Sequence, residues 1–371
     1  MDIFVGSAEI YRLKRGKLMQ QPNFDFLPKL DEASAWRGVD LQKSEDLWTY
    51  ELSKADVREL EKAASEFLLS NKPLGQISPK NFVLNRLVKI LKDTQRHLKD
   101  GIGFRLITGL PTSSYSAEFA ATIFCGIGSY IGLARSQNAA GHLLGHVRDT
   151  GADVKSTKVR VYQTNARQTF HTDSADVVGL LCLREAKVGG DSMLASSLTA
   201  LKEIVNNRPE LVKALFEPVA YDRRGEVAEG QDPFLSIPVY NWYKGFLSCI
   251  YHRTYINSAQ RYEKAPKLTE CQVEALNELD RILEDPSVHL KMRLKPGDMQ
   301  FVYNHCLLHD RTEFVDWENA EKKRHLLRLW LSLPEDRPLP PVYEQRYGDL
   351  TVGNRGGILT EKTVLKVPVF E

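Results

Sequence analysis

From residue 159 onward the chain is cut into short apolar stretches separated by turn residues, and this pattern restricts the fold more than any other feature. The stretches are Val159 to Tyr162, Val177 to Leu183, Met193 to Ala195, Val219 to Tyr221, Phe246 to Tyr251, Met292 to Leu294, Met299 to Tyr303 and Leu326 to Leu333. Many short strands with Gly and Pro turns indicate a sandwich or jelly roll. Two helices are expected to interrupt them, at about 198 to 216 and 269 to 282, and a last short strand is expected over 364 to 369.

Before residue 159 the texture is helical. Leu52, Val57, Leu60, Ala63, Ala64 and Phe67 recur mostly at three and four, which predicts a helix over 50 to 69 with Ser53 as its N-cap. A second helix is predicted over 81 to 98. Phe104 to Ile107 reads as a strand ending at the turn Gly109-Leu110-Pro111. The stretch 116 to 131, rich in Ala and Gly, is expected to be a helix packed closely on a neighbour. The expected layout is therefore a helical region, 1 to 100, bracing a barrel that fills 101 to 371. The fold class is α+β with a mainly β core.

The 371 residues are 42% apolar, enough to bury a substantial core. Fifty basic and 48 acidic residues leave a net charge of +2, and no basic block stands out, so no nucleic-acid partner is expected. The five cysteines are scattered and form no CxxC pair, which favours reduced thiols and a cytoplasmic location. Residues 1 to 20 lack an apolar run of signal-peptide length, and no stretch approaches the roughly 18 apolar residues of a spanning helix, so no membrane association is expected.

Chemistry enters at Phe170-His171-Thr172-Asp173. On a strand, residues two apart share a face, so His171 and Asp173 would project together. With one distant His they become two imidazoles and a carboxylate, the facial triad of non-haem Fe(II) oxygenases. His305 and His309 both lie in one downstream motif and share a face if that motif is a strand, so either could complete the set. His142 and His146 have the i, i+4 spacing of a zinc helix but lack the Glu of a metalloprotease between them. Arg324 and Arg328 flank and enter an apolar strand, where a charge needs an anionic partner. The planar fork of Arg suits a carboxylate.

Five segments together resemble the TauD/TfdA-like Fe(II)/2-oxoglutarate-dependent dioxygenases, a family that includes γ-butyrobetaine hydroxylase-like enzymes. They are 170 to 173, Gly189-Gly190-Asp191-Ser192, Pro296-Gly297-Asp298, 304 to 312, and Arg324-His325-Leu326-Leu327-Arg328. The resemblance runs from about Gly101 to Leu333. It implies a double-stranded β-helix with helices outside, using Fe(II), 2-oxoglutarate and O₂. It further implies His171, Asp173 and His309 as iron ligands and as the catalytic centre, with Arg324 gripping the distal carboxylate of 2-oxoglutarate and Ser192 assisting. Arg328 falls where some relatives bind an anionic group. The chain departs from the family at Asp310, where Gly is usual, and in its longer interval from His309 to Arg324.

Gln163, Asn165 and Arg253 are further candidates for substrate contact, Arg253 because it alternates with Tyr251 and Tyr255 on an expected strand. The polar run from Tyr221 to Glu226 is a candidate lid, and Gln137-Asn138 and Arg148-Asp149 are candidates for the pocket mouth. The expected activity is oxidation of an unactivated C–H bond in a small, anionic organic or amino acid. Hydroxylation is the default outcome; desaturation and cyclisation draw on the same chemistry. Two rival readings are a cupin-type metal-dependent hydrolase or isomerase, which has no use for Arg324, and a non-catalytic binding module. The partner expected is a small molecule, with a homo-oligomer interface allowed for in the N-terminal region.

Overall fold

The computed structural model describes residues 30, 32–153 and 160–369. The strands of the barrel are β1 (Thr49–Glu51), β2 (Phe104–Thr108), β3 (Leu133–Arg135), β4 (Leu144–Val147), β5 (Gln168–His171), β6 (Val177–Arg184), β7 (Ser192–Ser196), β8 (Leu290–Met292), β9 (Met299–Tyr303), β10 (Leu307–Arg311) and β11 (His325–Ser332). The larger sheet has the order β1-β2-β9-β6-β11-β3, with β4 also on β11; the smaller has the order β8-β7-β10-β5. Together they form the expected jelly roll. Every residue of β11 is buried, as its unbroken apolar sequence requires of a strand covered on both faces.

Five longer helices surround the barrel: α1 (Lys54–Leu69), α2 (Leu87–Lys99), α3 (Ala117–Ile131), α4 (Ser197–Asn207) and α5 (Glu270–Leu283). The close packing expected of α3 is explicit. A side chain at Gly126 would run into the Phe82 ring, 2.5 Å away, and one at Gly128 into Leu329 of β11, 2.6 Å away. One hydrophobic core runs through the molecule, from Trp36 and Phe67 to Tyr347.

Some boundaries differ from the periodicity. Residues 49–51 form β1, parallel to β2 in the barrel sheet, and α1 starts after them on a capping box between Ser53 and Asp56. The next helix starts at Leu87 rather than 81, because the Glu59 carboxylate of α1 accepts the N–H groups of Asn85, Arg86 and Leu87. Pro209 divides the stretch 198–216 into α4, a 3₁₀ turn and the short helix Val212–Leu215. Val159 lies outside the described residues, and Val161–Gln163 is a 3₁₀ turn rather than a strand. The tail makes a single bridge, Lys366 to His142, instead of a strand. Among the described residues no helix is long and apolar enough to cross a membrane.

Candidate active site

β5 and β10 lie side by side, antiparallel, with His171 directly opposite His309. Asp173 is past the end of β5, so strand alternation is not what aims it. The buried Asn304 does this instead: its Oδ1 accepts the Asp173 N–H at 3.0 Å and its Nδ2 donates to the Ala175 carbonyl at 2.9 Å. Thr172 is tied to Tyr251 through its own N–H. The pinned turn leaves Asp173 Oδ2 3.7 Å from His309 Nε2 and Oδ1 4.0 Å from His171 Nε2. All three donor atoms lie within 4.8 Å of one another.

Protonation is set by the surroundings. Nδ1–H of His171 donates to the Thr169 carbonyl at 2.8 Å, which leaves the Nε2 lone pair facing the cluster. Burial lowers the pKa of His171 and takes His309 down to about 3, so both rings are neutral at pH 7. Burial alone would raise Asp173, but the Arg328 guanidinium beside it holds it below the usual carboxylate range. The Trp330 indole N–H adds a 2.8 Å hydrogen bond to Oδ2. Two neutral imidazoles and an ionised carboxylate on one side of a site are a donor set that fits Fe(II).

Arg324 is 6% exposed and forms no ion pair among the described residues. One of its guanidinium nitrogens is buried without a hydrogen-bond partner, and another is only 3.5 Å from the Gly190 carbonyl. The guanidinium stacks on Phe314. The Gly189-Gly190 pair makes room for it, since a Cβ at Gly190 would sit 2.8 Å from Arg324 Nε. Arg324 shares a small cavity with Ser192, Arg328, His171 and His309. Ser192 Oγ donates to Gln300 at 3.1 Å. Arg328 is fixed by a 2.7 Å bond to Gln137 Oε1, stacks on Tyr162 and Trp330, and reaches 3.6 Å from Asp173.

A second cavity of about 470 Å³ opens over Asp173 and shares Tyr162, Gln168 and Arg328 with the first. At about 40 Å³, the cavity at Arg324 has room for a few water molecules. Gln168 stands at the boundary, its amide 2.9 Å from His171 Nε2.

Several expected residues are not brought to the site. Arg253 opens a short helix, not a strand, and is drawn away by Asp280 at 2.7 Å and Asn277 at 2.6 Å; only Tyr255 of that trio lines the large cavity. Gln163 turns back to accept the Arg160 N–H, and Asn165 is exposed. Neither lines either cavity. His305 falls in the turn between β9 and β10, not on a shared strand face with His309. It bonds Asp176 at 2.8 Å in a buried group with Asp336, where the Arg355 guanidinium supplies the positive charge. His146 is on strand β4 rather than a helix and contacts His325 at 2.7 Å. The unusual Asp310 is explained by its ion pair with Arg167 at 2.7 Å.

Sequence reading missed Gln168, Trp330, Asn304 and Arg346. Asn304 was inside a recognised segment and Trp330 on the last apolar stretch, and both could have been found by asking what holds Asp173. Arg346 had no local signal: it lies well beyond those segments, and only the path of the C-terminal segment brings it to Thr172.

A jelly roll that joins such a donor set to a buried arginine lacking a carboxylate partner is the architecture of the ferrous, 2-oxoglutarate-dependent oxygenases. Residues 70–330 match the profile of the taurine catabolism dioxygenase TauD, TfdA family, and the chain belongs to that family. It is 29% identical to the FR-33289 synthase of Streptomyces rubellomurinus over 83% of this chain and 91% of that protein. It is 32% identical to a taurine hydroxylase-like protein of Stachybotrys chartarum over 81% of this chain and 79% of that one. In fold it resembles an asparagine oxygenase solved with Fe(II), hydroxyasparagine and succinate, at a TM-score of 0.60 and 18% identity, covering 76% of this chain and 93% of that one. The protein is an Fe(II)- and 2-oxoglutarate-dependent dioxygenase.

Proposed function

We propose that His171, Asp173 and His309 hold the iron, and that Arg324 with Ser192 takes the distal carboxylate of 2-oxoglutarate. A small anionic substrate then lies in the larger cavity with its charge met by Arg328. The observation that carries this reading is Arg324, a buried cation whose guanidinium forms no ion pair among the described residues. Bound iron, 2-oxoglutarate and O₂ together supply the oxidation of an unactivated C–H bond.

The chain's own residues prepare that chemistry. Thr169 fixes the proton of His171 on Nδ1, and Trp330 and Asn304 orient Asp173. Gln137 holds Arg328 over the site. A cavity of about 470 Å³ suits a molecule of metabolite size. The asparagine oxygenase was solved with hydroxyasparagine, a small amino acid, which supports the same size class here. Five free cysteines, four of them buried, support a reducing, cytoplasmic setting.

The test is succinate release from 2-oxoglutarate by the Fe(II)-loaded protein, screened against small acids and amino acids with products identified by mass. The cupin-type alternative separates cleanly. Under it, Arg324→Ala would leave turnover indifferent to 2-oxoglutarate, whereas here the variant needs far more of it.

A further inference from the structure

The larger cavity is lined by five arginines: Arg135, Arg160, Arg223, Arg328 and Arg346. Three are already engaged, two by the protein and Arg328 at the proposed substrate site beside Asp173. Arg160 is paired with Glu226. Arg135 donates to Asn354 at 2.7 Å and to the Gly356 carbonyl at 3.0 Å. Arg328 is held by Gln137 beside Asp173. Of the other acidic residues in the wall, Asp222 is taken by Arg261, Ser258 and Tyr262, Asp349 accepts from Thr351, and Glu344 opens the short helix that carries Arg346.

Arg223 and Arg346 remain. Neither forms an ion pair among the described residues, and the Nε of each is buried without a hydrogen-bond partner. Arg346 is anchored beside the donor cluster by one bond, Nη2 to the Thr172 carbonyl at 2.9 Å. Its short helix, Glu344–Tyr347, is locked in place. Tyr347 stacks on His305 and Tyr343, and Gln345 bonds both the N–H and the carbonyl of Ser236. Arg223 follows the strand Pro218–Asp222, on a separate element of the same wall. Two guanidinium groups lining one cavity, neither in an ion pair among the described residues, repel each other and cost stability unless an anion joins them.

We propose that Arg223 and Arg346 form an anion clamp in the larger cavity, and that the substrate carries there a phosphoryl-type dianion, a phosphate ester or a phosphonate. This rests on the reading of that cavity as the substrate site. Two forks on two elements offer more donors than one carboxylate accepts, and they match the three oxygens and double charge of a phosphoryl group. Arg223 lies within residues 70–330, the span shared with the family profile, and Arg346 beyond it, so the clamp joins the two.

Calorimetric titration of the full-length, metal-free protein with inorganic phosphate tests it. The expected result is a site weakened about tenfold or more by Arg346→Ala and by Arg223→Ala, partly restored in Arg346→Lys, with acetate bound far more weakly. Phosphate binding that is absent, or unchanged in both variants, overturns the clamp, as does acetate bound as tightly as phosphate. A second reading is the visible absorption of the anaerobic Fe(II)·2-oxoglutarate complex, which Arg346→Ala should leave intact. Its loss in that variant alone would make Arg346 a support of the iron site and refute the clamp. Its absence in the wild type, with phosphate binding as expected, would refute the iron reading and leave the clamp standing.

Discussion

The rings of His171 and His309 face each other across adjacent antiparallel strands, with centroids 4.1 Å apart. Two imidazoles so close cannot both be protonated without strong repulsion, and burial already favours the neutral forms. They are therefore set to bind a metal ion at neutral pH. Replacing either with Ala is expected to abolish stoichiometric iron binding while the fold survives. Metal analysis beside circular dichroism checks this, and a variant that keeps its iron would remove that residue from the ligand set.

Arg324 is expected to separate stability from cosubstrate binding. Arg324→Ala deletes a charge-assisted grip worth about 1.5–3 kcal/mol, so affinity for 2-oxoglutarate should fall about 10- to 100-fold. The same change removes a buried charge that lacks a carboxylate partner, so the thermal midpoint should hold or rise. A lower midpoint with unchanged affinity would show that Arg324 is structural.

On the proposed ligand set, Gln168 competes with the metal. Its amide donates to His171 Nε2, the lone pair assigned to iron in the proposed site, and it stands where the two cavities meet. Loading must swing it aside. Gln168→Ala is expected to tighten metal binding by about 1 kcal/mol, roughly fivefold, the net worth of one hydrogen bond. Weaker metal binding in this variant would mean that Gln168 orients His171 rather than blocks it.

Arg355 ties the C-terminal segment to the barrel. It is fully buried and bonds Asp176 and Asp336, each at 2.7 Å. Arg355→Leu strands two buried carboxylates and should cost about 3–5 kcal/mol in denaturant unfolding. An effect below about 1 kcal/mol would show that the carboxylates find other partners.

His325 sets part of the acid sensitivity. Burial, with His146 and Arg184 behind it, lowers its pKa to about 3 from an unfolded value near 6.5. The unfolded chain thus takes up the proton first. The stabilisation is complete above about pH 6.5 and is lost as pH falls toward about 3. The thermal midpoint of His325→Gln should therefore decline less between pH 6.5 and 4 than that of the wild type. Parallel declines would sink this assignment.

The strand pattern was legible in the chain from local periodicity, and the arginines of the last strand from charge set among apolar neighbours; the residues of the His171-Thr172-Asp173 triplet were legible too, although Asn304 rather than strand alternation aims Asp173. The same local reasoning misplaced Arg253, since a strand and the first turn of a helix aim a side chain differently, and Asp280 lies far away in sequence. It left His305 and His309 open, and only the turn at 304–306 sends one toward Asp176 and the other to the donor cluster. Residue type and spacing thus determined which groups were present to do chemistry. Which of them met was decided by the pairing of distant strands and the return of the C-terminal segment, because a side chain's partner is fixed by packing across the fold rather than by its neighbours in sequence.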